Sequence, residues 1–248
     1  MRIAQLPLLL SSILLILLSS LTAEESTLTC FFTPPPGWEI SFPPASTPHV
    51  KILFTKPNGI KFSPSINLSI EPTSVSIEEY LKIIKEVHEQ DRDKEWSMLG
   101  KMQTQSGLAQ LTQINTSSEW GPVRLLQLIL IKQGNAYILT AAALKKEFSL
   151  YYSLFQKAFR SLTLTADLIE ALPLLEKRDQ LRSSRETLLN SSGEFSEKNP
   201  LFHLFAKEVH SYAQDLGNYW EYLLLQQTQE AMTAKQENPI VIEGDTVQ

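Results

Sequence analysis

Residues 123–143, VRLLQLILIKQGNAYILTAAA, decide the fold of this 248-residue chain. The side chains of a strand alternate between its two faces, and here both sets are apolar in 123–132 and again in 137–142. A strand that is apolar on both faces needs a covering layer on each side. We therefore predict two central strands, joined by a turn at Gly134-Asn135, in a sheet with helices above and below. The apolar sets of the first strand are Val123, Leu125, Ile129 and Ile131 on one face and Leu126, Leu128 and Leu130 on the other.

Periodic patterns on either side of this stretch predict the remaining elements. Alternating, turn-bounded segments predict further strands at 37–42, 50–55, 66–70, 96–103 and 107–114. The tetrapeptide Ser76-Ile77-Glu78-Glu79 is a capping box, and it predicts a helix that ends before Asp93. A second helix is predicted over 145–162, because large apolar side chains recur there at steps of three and four. These are Phe148, Tyr152, Phe155, Phe159 and Leu162, and we interpret the stripe as core that covers the sheet.

The order of these segments resembles a known family. It runs GWEISFP (37–43), SINLSIEP (65–72), SIEEYLKIIKEV (76–87), GLAQL (107–111), GNAYILTAAA (134–143) and EFSLYYSLFQKAFRSL (147–162). Over about residues 35–164 this resembles the small αβα sandwich family of PsbP and the bacterial envelope protein DcrB. The resemblance implies an α+β fold, with an antiparallel sheet covered by helices. It also implies an exported, non-enzymatic module that binds or stabilises other proteins, and it carries no catalytic residue across.

The N-terminus has the layout of a secretory signal peptide. Residues 1–23 contain one positive charge, a leucine-rich stretch and a small-residue end, which predicts cleavage after Ala23. An uncleaved membrane anchor is the open alternative, since 3–21 is long enough to span a bilayer. Lipidation at Cys30 is the weaker reading, because Thr27-Leu28-Thr29 lacks the small residues a lipoprotein needs. We expect an exported protein of the periplasm or cell envelope, or a secreted one, whose residues 24–34 form an extended segment.

A helical hairpin is predicted to follow the sandwich of residues 35–165. Residues 167–190 predict a surface helix, and Asn199 with Pro200 predicts the start of another. The hairpin would occupy 166–235, and an acidic tail 236–248. Apolar residues of the last helix recur at an average step of 3.5, which is typical of a coiled-coil seam. They are Phe202, Phe205, Val209, Tyr212, Leu216, Tyr219 and Leu223.

The last helix is also the predicted partner surface. The apolar residues of the preceding helix are not regularly spaced, so we expect that helix to leave part of the seam uncovered. Another chain would then cover this part and contact its exposed aromatic residues. The candidate residues are Tyr212, Leu216, Tyr219, Trp220 and Leu223. The alternative is that the seam packs wholly within the chain. Trp120, in the turn at 116–121, is the other candidate, either as a contact residue or as an anchor of that turn to the sheet rim.

The sequence carries no recognisable catalytic motif, so we expect neither an enzyme nor a cofactor or metal site. A nucleophile elbow, a zinc-protease helix, a CxxC pair and a phosphate-binding loop are all missing. The histidines lack ligand spacing, and one acidic run lacks the glycine of a calcium loop, since Trp96 stands in its place. These residues are His88, His203 and His210, and Asp91, Asp93 and Glu95. The net charge of -5 argues against nucleic acid as a partner.

The function that follows is protein binding, as an accessory or assembly factor of the envelope, with self-association as a further expectation. Two alternatives stay open. One is a secreted effector or chaperone-like protein that works through its helical hairpin. The other is a hydrolase whose site is assembled from distant residues, because spatial pairing of carboxylates leaves no trace in sequence.

Overall fold

The computed structural model describes residues 28–42, 47–57, 62–91, 93–191 and 199–237. These residues form nine strands and five α-helices. The strands are β1 (Thr29–Phe31), β2 (Glu39–Ser41), β3 (Val50–Thr55), β4 (Ser65–Pro72), β5 (Glu95–Thr104), β6 (Gly107–Ser118), β7 (Gly121–Lys132), β8 (Asn135–Leu144) and β9 (Thr163–Thr165). The helices are α1 (Ile77–Glu89), α2 (Phe148–Arg160), α3 (Leu175–Asn190), α4 (Pro200–Leu216) and α5 (Asn218–Glu237).

Seven strands form one antiparallel sheet in the order β2-β3-β4-β8-β7-β6-β5. The two strands with apolar residues on both faces, β7 and β8, lie in its interior and pair with Leu128 opposite Leu139. Both of these side chains are fully buried. The prediction of an α+β fold with a central antiparallel sheet is confirmed. The apolar side chains on both faces of β7 and β8 have the expected cause, because both faces of these strands are covered.

Helices cover both faces of the sheet. On one face Leu81 of α1 packs with Ile129 and Ile138. On the other face Leu126 and Leu128 belong to the main core, which includes the aromatic side chains of α2. Helix α1 begins as its capping box predicts, since Ser76 Oγ accepts a hydrogen bond from the Glu79 N–H at 3.2 Å. This arrangement is the expected αβα sandwich.

The C-terminal helices share the core of the sandwich. Buried residues of α4 and α5 belong to the same apolar cluster as the sheet and α2. The indole Nε1 of Trp220 donates a buried hydrogen bond of 2.8 Å to the Leu168 carbonyl. The core is therefore continuous across residue 165, where the sandwich was predicted to end.

Two of the predicted helices are interrupted. Residues 167–190 do not form one helix: a 3-10 turn at Leu168–Ala171 is followed by Leu172 in an extended conformation, with ψ 133°. The cause is Pro173, which disfavours a helical conformation in the residue before it. The last helix begins at the Asn199 cap as predicted, but it breaks at Gly217, whose φ is +93°.

The segment before the sheet is tied down by strand pairing that the sequence analysis did not foresee. In the expected extended segment, residues 29–31 pair antiparallel with β9, and Cys30 lies opposite Leu164. Phe31 and Phe32 are buried completely or nearly so. This short ribbon brings the N-terminal segment against the C-terminal helices.

Candidate protein-binding surface

The aromatic residues that were predicted to face a partner are core residues. Tyr212, Tyr219 and Trp220 are 8%, 4% and 0% exposed, so the prediction of their exposure is wrong. The reason lies in the break at Gly217 and in packing from outside the hairpin. The ring of Tyr219 meets the rings of Phe32 and Phe54 with centroid distances of 5.6 Å each.

The rest of the predicted seam is also turned inward. Leu216 and Leu223 are partly buried and pack against the main core. Burial raises the pKa of the Tyr219 phenol above its ordinary value. The alternative in which the seam packs within the chain therefore describes the structure, and the sandwich supplies the cover that α3 alone lacks.

Trp120 is the one predicted site residue that lies largely in solvent, at 50% exposure. It occupies the two-residue loop between β6 and β7, where Ser118 pairs with Gly121. The hydroxyl of Ser118 accepts a hydrogen bond from the Trp120 N–H at 3.2 Å and donates one to the Gly121 carbonyl at 2.9 Å. The indole ring rests on Phe62, with centroids 6.1 Å apart. Trp120 is thus both held against the sheet rim and available to a partner.

An open apolar depression of about 380 Å³ lies beside Trp120. Among the described residues, its lining consists of Trp120, Pro122, Leu144, Lys145 and Lys146, which we call the Trp120 surface. Trp120 and Pro122 come from the turn before β7 and the start of that strand, and the other residues from the end of β8 and the turn after it; the sheet places them side by side because Val123 pairs with Leu144. A hydrogen bond of 2.8 Å from the Lys145 N–H to the Pro122 carbonyl fixes their separation. Both lysine residues are exposed.

A smaller, polar depression of about 190 Å³ adjoins the Trp120 surface and shares Pro122 and Lys145 with it. Two carboxylates, those of Asp93 and Glu95, contribute to its lining. The sheet rim therefore presents an apolar depression with cationic residues at its edge and an acidic, polar neighbour. Such a charge pattern favours one orientation of a bound ligand over the reverse orientation.

The described residues contain no group of three or more His, Cys, Asp or Glu side chains that could hold a metal ion. Cys30 is buried, and burial raises the pKa of its thiol, so the thiolate that a nucleophile requires is disfavoured. His210 pairs with Glu221 at 3.0 Å on the protein surface. The acidic run that lacks the glycine of a calcium loop contains an ion pair of 2.9 Å between Asp91 and Lys94. In the part of the chain that the structure describes, no helix is both long and apolar enough to cross a membrane.

Pro122, Leu144, Lys145 and Lys146 were not singled out from the sequence. Each has an ordinary local role, at the start of a strand or in the turn before α2. Their proximity to Trp120 follows from strand register, which brings residues about twenty positions apart together. The two adjacent lysine residues directly after an apolar strand could have been noticed in the sequence, but only the structure shows that they adjoin an exposed indole.

Comparison with known proteins yields structural similarity alone. No family model matches the chain, and no curated protein matches its sequence. LpqN of Mycobacterium tuberculosis, which is involved in cell envelope biogenesis, is 15% identical with a TM-score of 0.44, over 58% of this chain and 87% of its own. The cyanobacterial PsbP of Synechocystis is 12% identical with a TM-score of 0.42, over 60% of this chain and 99% of its own. The Ran-binding protein Mog1p of Saccharomyces cerevisiae is 14% identical with a TM-score of 0.39, over 54% of this chain and 89% of its own. A PsbP is thus among the similar structures, in agreement with the resemblance seen in the sequence.

Proposed function

We propose that the protein is an exported, non-enzymatic accessory protein that binds a partner protein through the Trp120 surface. The observation that carries this proposal is the half-exposed indole of Trp120, held by Phe62 at the edge of an apolar depression. Tryptophan residues in such positions dominate the energetics of many interfaces. The other aromatic candidates, on α4 and α5, belong to the core.

The chemistry of the surface specifies the partner segment. Trp120, Pro122 and Leu144 offer apolar contact, and Lys145 and Lys146 place two positive charges beside it. The matching ligand is a protein segment that presents an apolar side chain next to a carboxylate. Charges of this kind guide association and orientation more than they add affinity, and the apolar anchor supplies most of the binding energy.

Export is the second part of the proposal and rests on the sequence of residues 1–23, which lie outside the described residues. The leucine-rich stretch and the small-residue end before Glu24 support removal of a signal peptide. The mature protein then begins a few residues before β1 and acts in the periplasm, in the cell envelope or outside the cell.

A peptide selection tests the partner chemistry. The mature protein is screened against a displayed library of random peptides, and the selected sequences are compared for net charge and apolar content. We expect enrichment of peptides in which an aromatic or aliphatic residue adjoins Asp or Glu. The double change Lys145→Glu, Lys146→Glu should then favour peptides with Lys or Arg instead.

The matched control reverses two other exposed lysine residues. Lys82 and Lys85 lie on α1 and form ion pairs with Glu86 and Glu89. The double change Lys82→Glu, Lys85→Glu alters the net charge by the same amount but leaves the Trp120 surface intact, so the acidic preference should persist. An acidic preference that survives the change at Lys145 and Lys146, or one that is lost in the control, contradicts the proposal.

A further inference from the structure

A second cavity, of about 400 Å³, lies where the N-terminal ribbon meets the C-terminal helices. Its walls include Phe31 of β1, Thr163 of β9, and Asp215 and Leu216 at the end of α4. The volume falls in the range of about 300–1,000 Å³ that is usual for small-molecule sites, and such sites often form where separate structural units join. Among the described residues, none lines both this cavity and the Trp120 surface.

Each of the three hydroxyl groups in this cavity already donates a hydrogen bond within the protein. Thr33 Oγ1 donates to the Leu216 carbonyl at 3.0 Å, and Thr163 Oγ1 donates to the Ser161 carbonyl at 3.0 Å. Ser161 Oγ donates to the Ala158 carbonyl at 2.7 Å and accepts from the Thr33 N–H at 2.8 Å. Each hydroxyl has one donor and two acceptor positions, so only lone pairs remain for a ligand. The three hydroxyl groups therefore offer a ligand only acceptors, while the carboxamide of Gln105, which also lines the cavity, can donate as well as accept.

Asp215 adds a negative charge to these acceptors. Its carboxylate lies 3.5 Å from Lys177 Nζ, which is a loose ion pair, and about half of the Asp215 side chain is exposed. Lys177 has a second partner, because its ammonium group lies 5.0 Å from the centroid of the Tyr212 ring. The carboxylate can thus accept a hydrogen bond from a ligand without leaving Lys177 unpaired. Ala171 and Leu216, which are both partly exposed, give the same cavity apolar walls.

We propose that this cavity binds a primary amine that carries an apolar group. An alkylammonium group has three donors and no acceptor, which complements the lone pairs of Thr33 and Thr163 and the carboxylate of Asp215. The apolar part of the ligand lies against Ala171 and Leu216. An anionic ligand is disfavoured because the Asp215 carboxylate repels it and the three hydroxyl groups have no free proton to donate, which leaves the neutral carboxamide of Gln105 as its side-chain donor among the described lining residues.

Three probes of one shape test the preference. The mature protein is titrated with 2-phenylethylamine, 2-phenylethanol and 3-phenylpropanoate, and binding is followed through the backbone amide resonances of Thr33 and Thr163. We expect saturable shifts with the amine, binding of the alcohol about tenfold weaker, and no saturable shifts with the carboxylate. Equal binding of the three probes, preference for the carboxylate, or no saturable binding of the amine overturns the proposal.

Two variants and one matched control localise the interaction to the cavity. Asp215→Asn keeps the shape of the side chain but removes its charge, and it should weaken 2-phenylethylamine about tenfold while leaving 2-phenylethanol unchanged. Asp179→Asn, at an exposed position of α3, is the matched control and should change neither affinity. Ala171→Trp fills the cavity and should abolish binding of both probes in a protein that still unfolds cooperatively. Unchanged amine affinity in Asp215→Asn, or in a folded Ala171→Trp variant, overturns the proposal.

Discussion

The ring of Phe32 meets the ring of Tyr219 edge to face, with centroids 5.6 Å apart. Phe54 of β3 completes the cluster, at 5.4 Å from Phe32 and 5.6 Å from Tyr219. The contact joins the N-terminal segment, the sheet and the last helix in one core. The C-terminal helices thus complete the sandwich by covering aromatic residues that the sheet and α2 leave uncovered.

Phe32→Ala should destabilise the protein by about 3–5 kcal/mol, because it removes a fully buried aromatic side chain and leaves a cavity. Denaturant unfolding of the mature protein measures the free energy of unfolding. Leu204→Ala, at a position on α4 that is 64% exposed, is the control and should stay within about 0.5 kcal/mol of the wild type. Similar costs for the two variants would show that Phe32 does not belong to the folding core.

Removal of all residues after Thr165 should cost more than any single substitution. From the sequence we placed the end of the sandwich at residue 165, and that boundary stays a prediction. The packing leads us to expect that the chain is not stable without the C-terminal helices, since the truncation uncovers Phe32 and Phe54 and removes the buried indole of Trp220. Thermal unfolding followed by circular dichroism should lack a cooperative transition, or the truncated chain should aggregate. A soluble chain with a sharp transition would restore the expected boundary.

Gly217→Ala should destabilise the protein more than Gly134→Ala does. Both glycine residues have positive φ, +93° and +70°, which costs any other residue free energy. Only Gly217 is crowded as well, because an added Cβ would lie 3.2 Å from the Thr33 Cα. We expect a loss of about 1–3 kcal/mol at Gly217 and less at Gly134. Equal losses in chemical denaturation would mean that the close approach to Thr33 can relax.

The sandwich could be predicted because its signals are local. Apolar residues on both faces of 123–132 require cover on two sides, and Ser76 with Glu79 marks the start of α1 within four residues. The break at Gly217 was missed although glycine commonly ends helices, because the apolar spacing continues through it. The burial of Trp220 could not be read from sequence, since it depends on packing in the main core and on a hydrogen-bond acceptor, the Leu168 carbonyl, that is far away in the chain.

The candidate site was predictable only in part. Trp120 was recognised because a lone aromatic residue in a tight turn is conspicuous. The depression beside it depends on the pairing of Val123 with Leu144, which is a long-range property of the sheet. The prediction that the aromatic residues of the last helix are exposed failed for the same reason. The apolar spacing of one helix does not show which other element of the chain will cover it.

Export predicts a mature N-terminus at or within a few residues of Glu24. The physical reason is the change at Ala23 from an apolar stretch with small residues to acidic sequence, which a signal peptidase recognises. Mass spectrometry of the intact protein, isolated from the organism that produces it, measures the N-terminus directly. Recovery of the chain with Met1 and the whole leucine-rich stretch would indicate an uncleaved anchor instead.

The affinity of the mature protein for a peptide chosen by the selection, measured by isothermal titration calorimetry, tests the central claim most directly. Trp120→Ala should weaken binding at least about tenfold, because it removes the apolar anchor of the Trp120 surface. Leu150→Ala, at a position on α2 that is 70% exposed, removes a side chain away from that surface and should leave the affinity unchanged. Equal affinities of the wild type and a folded Trp120→Ala variant would contradict the assignment of the partner site to the Trp120 surface.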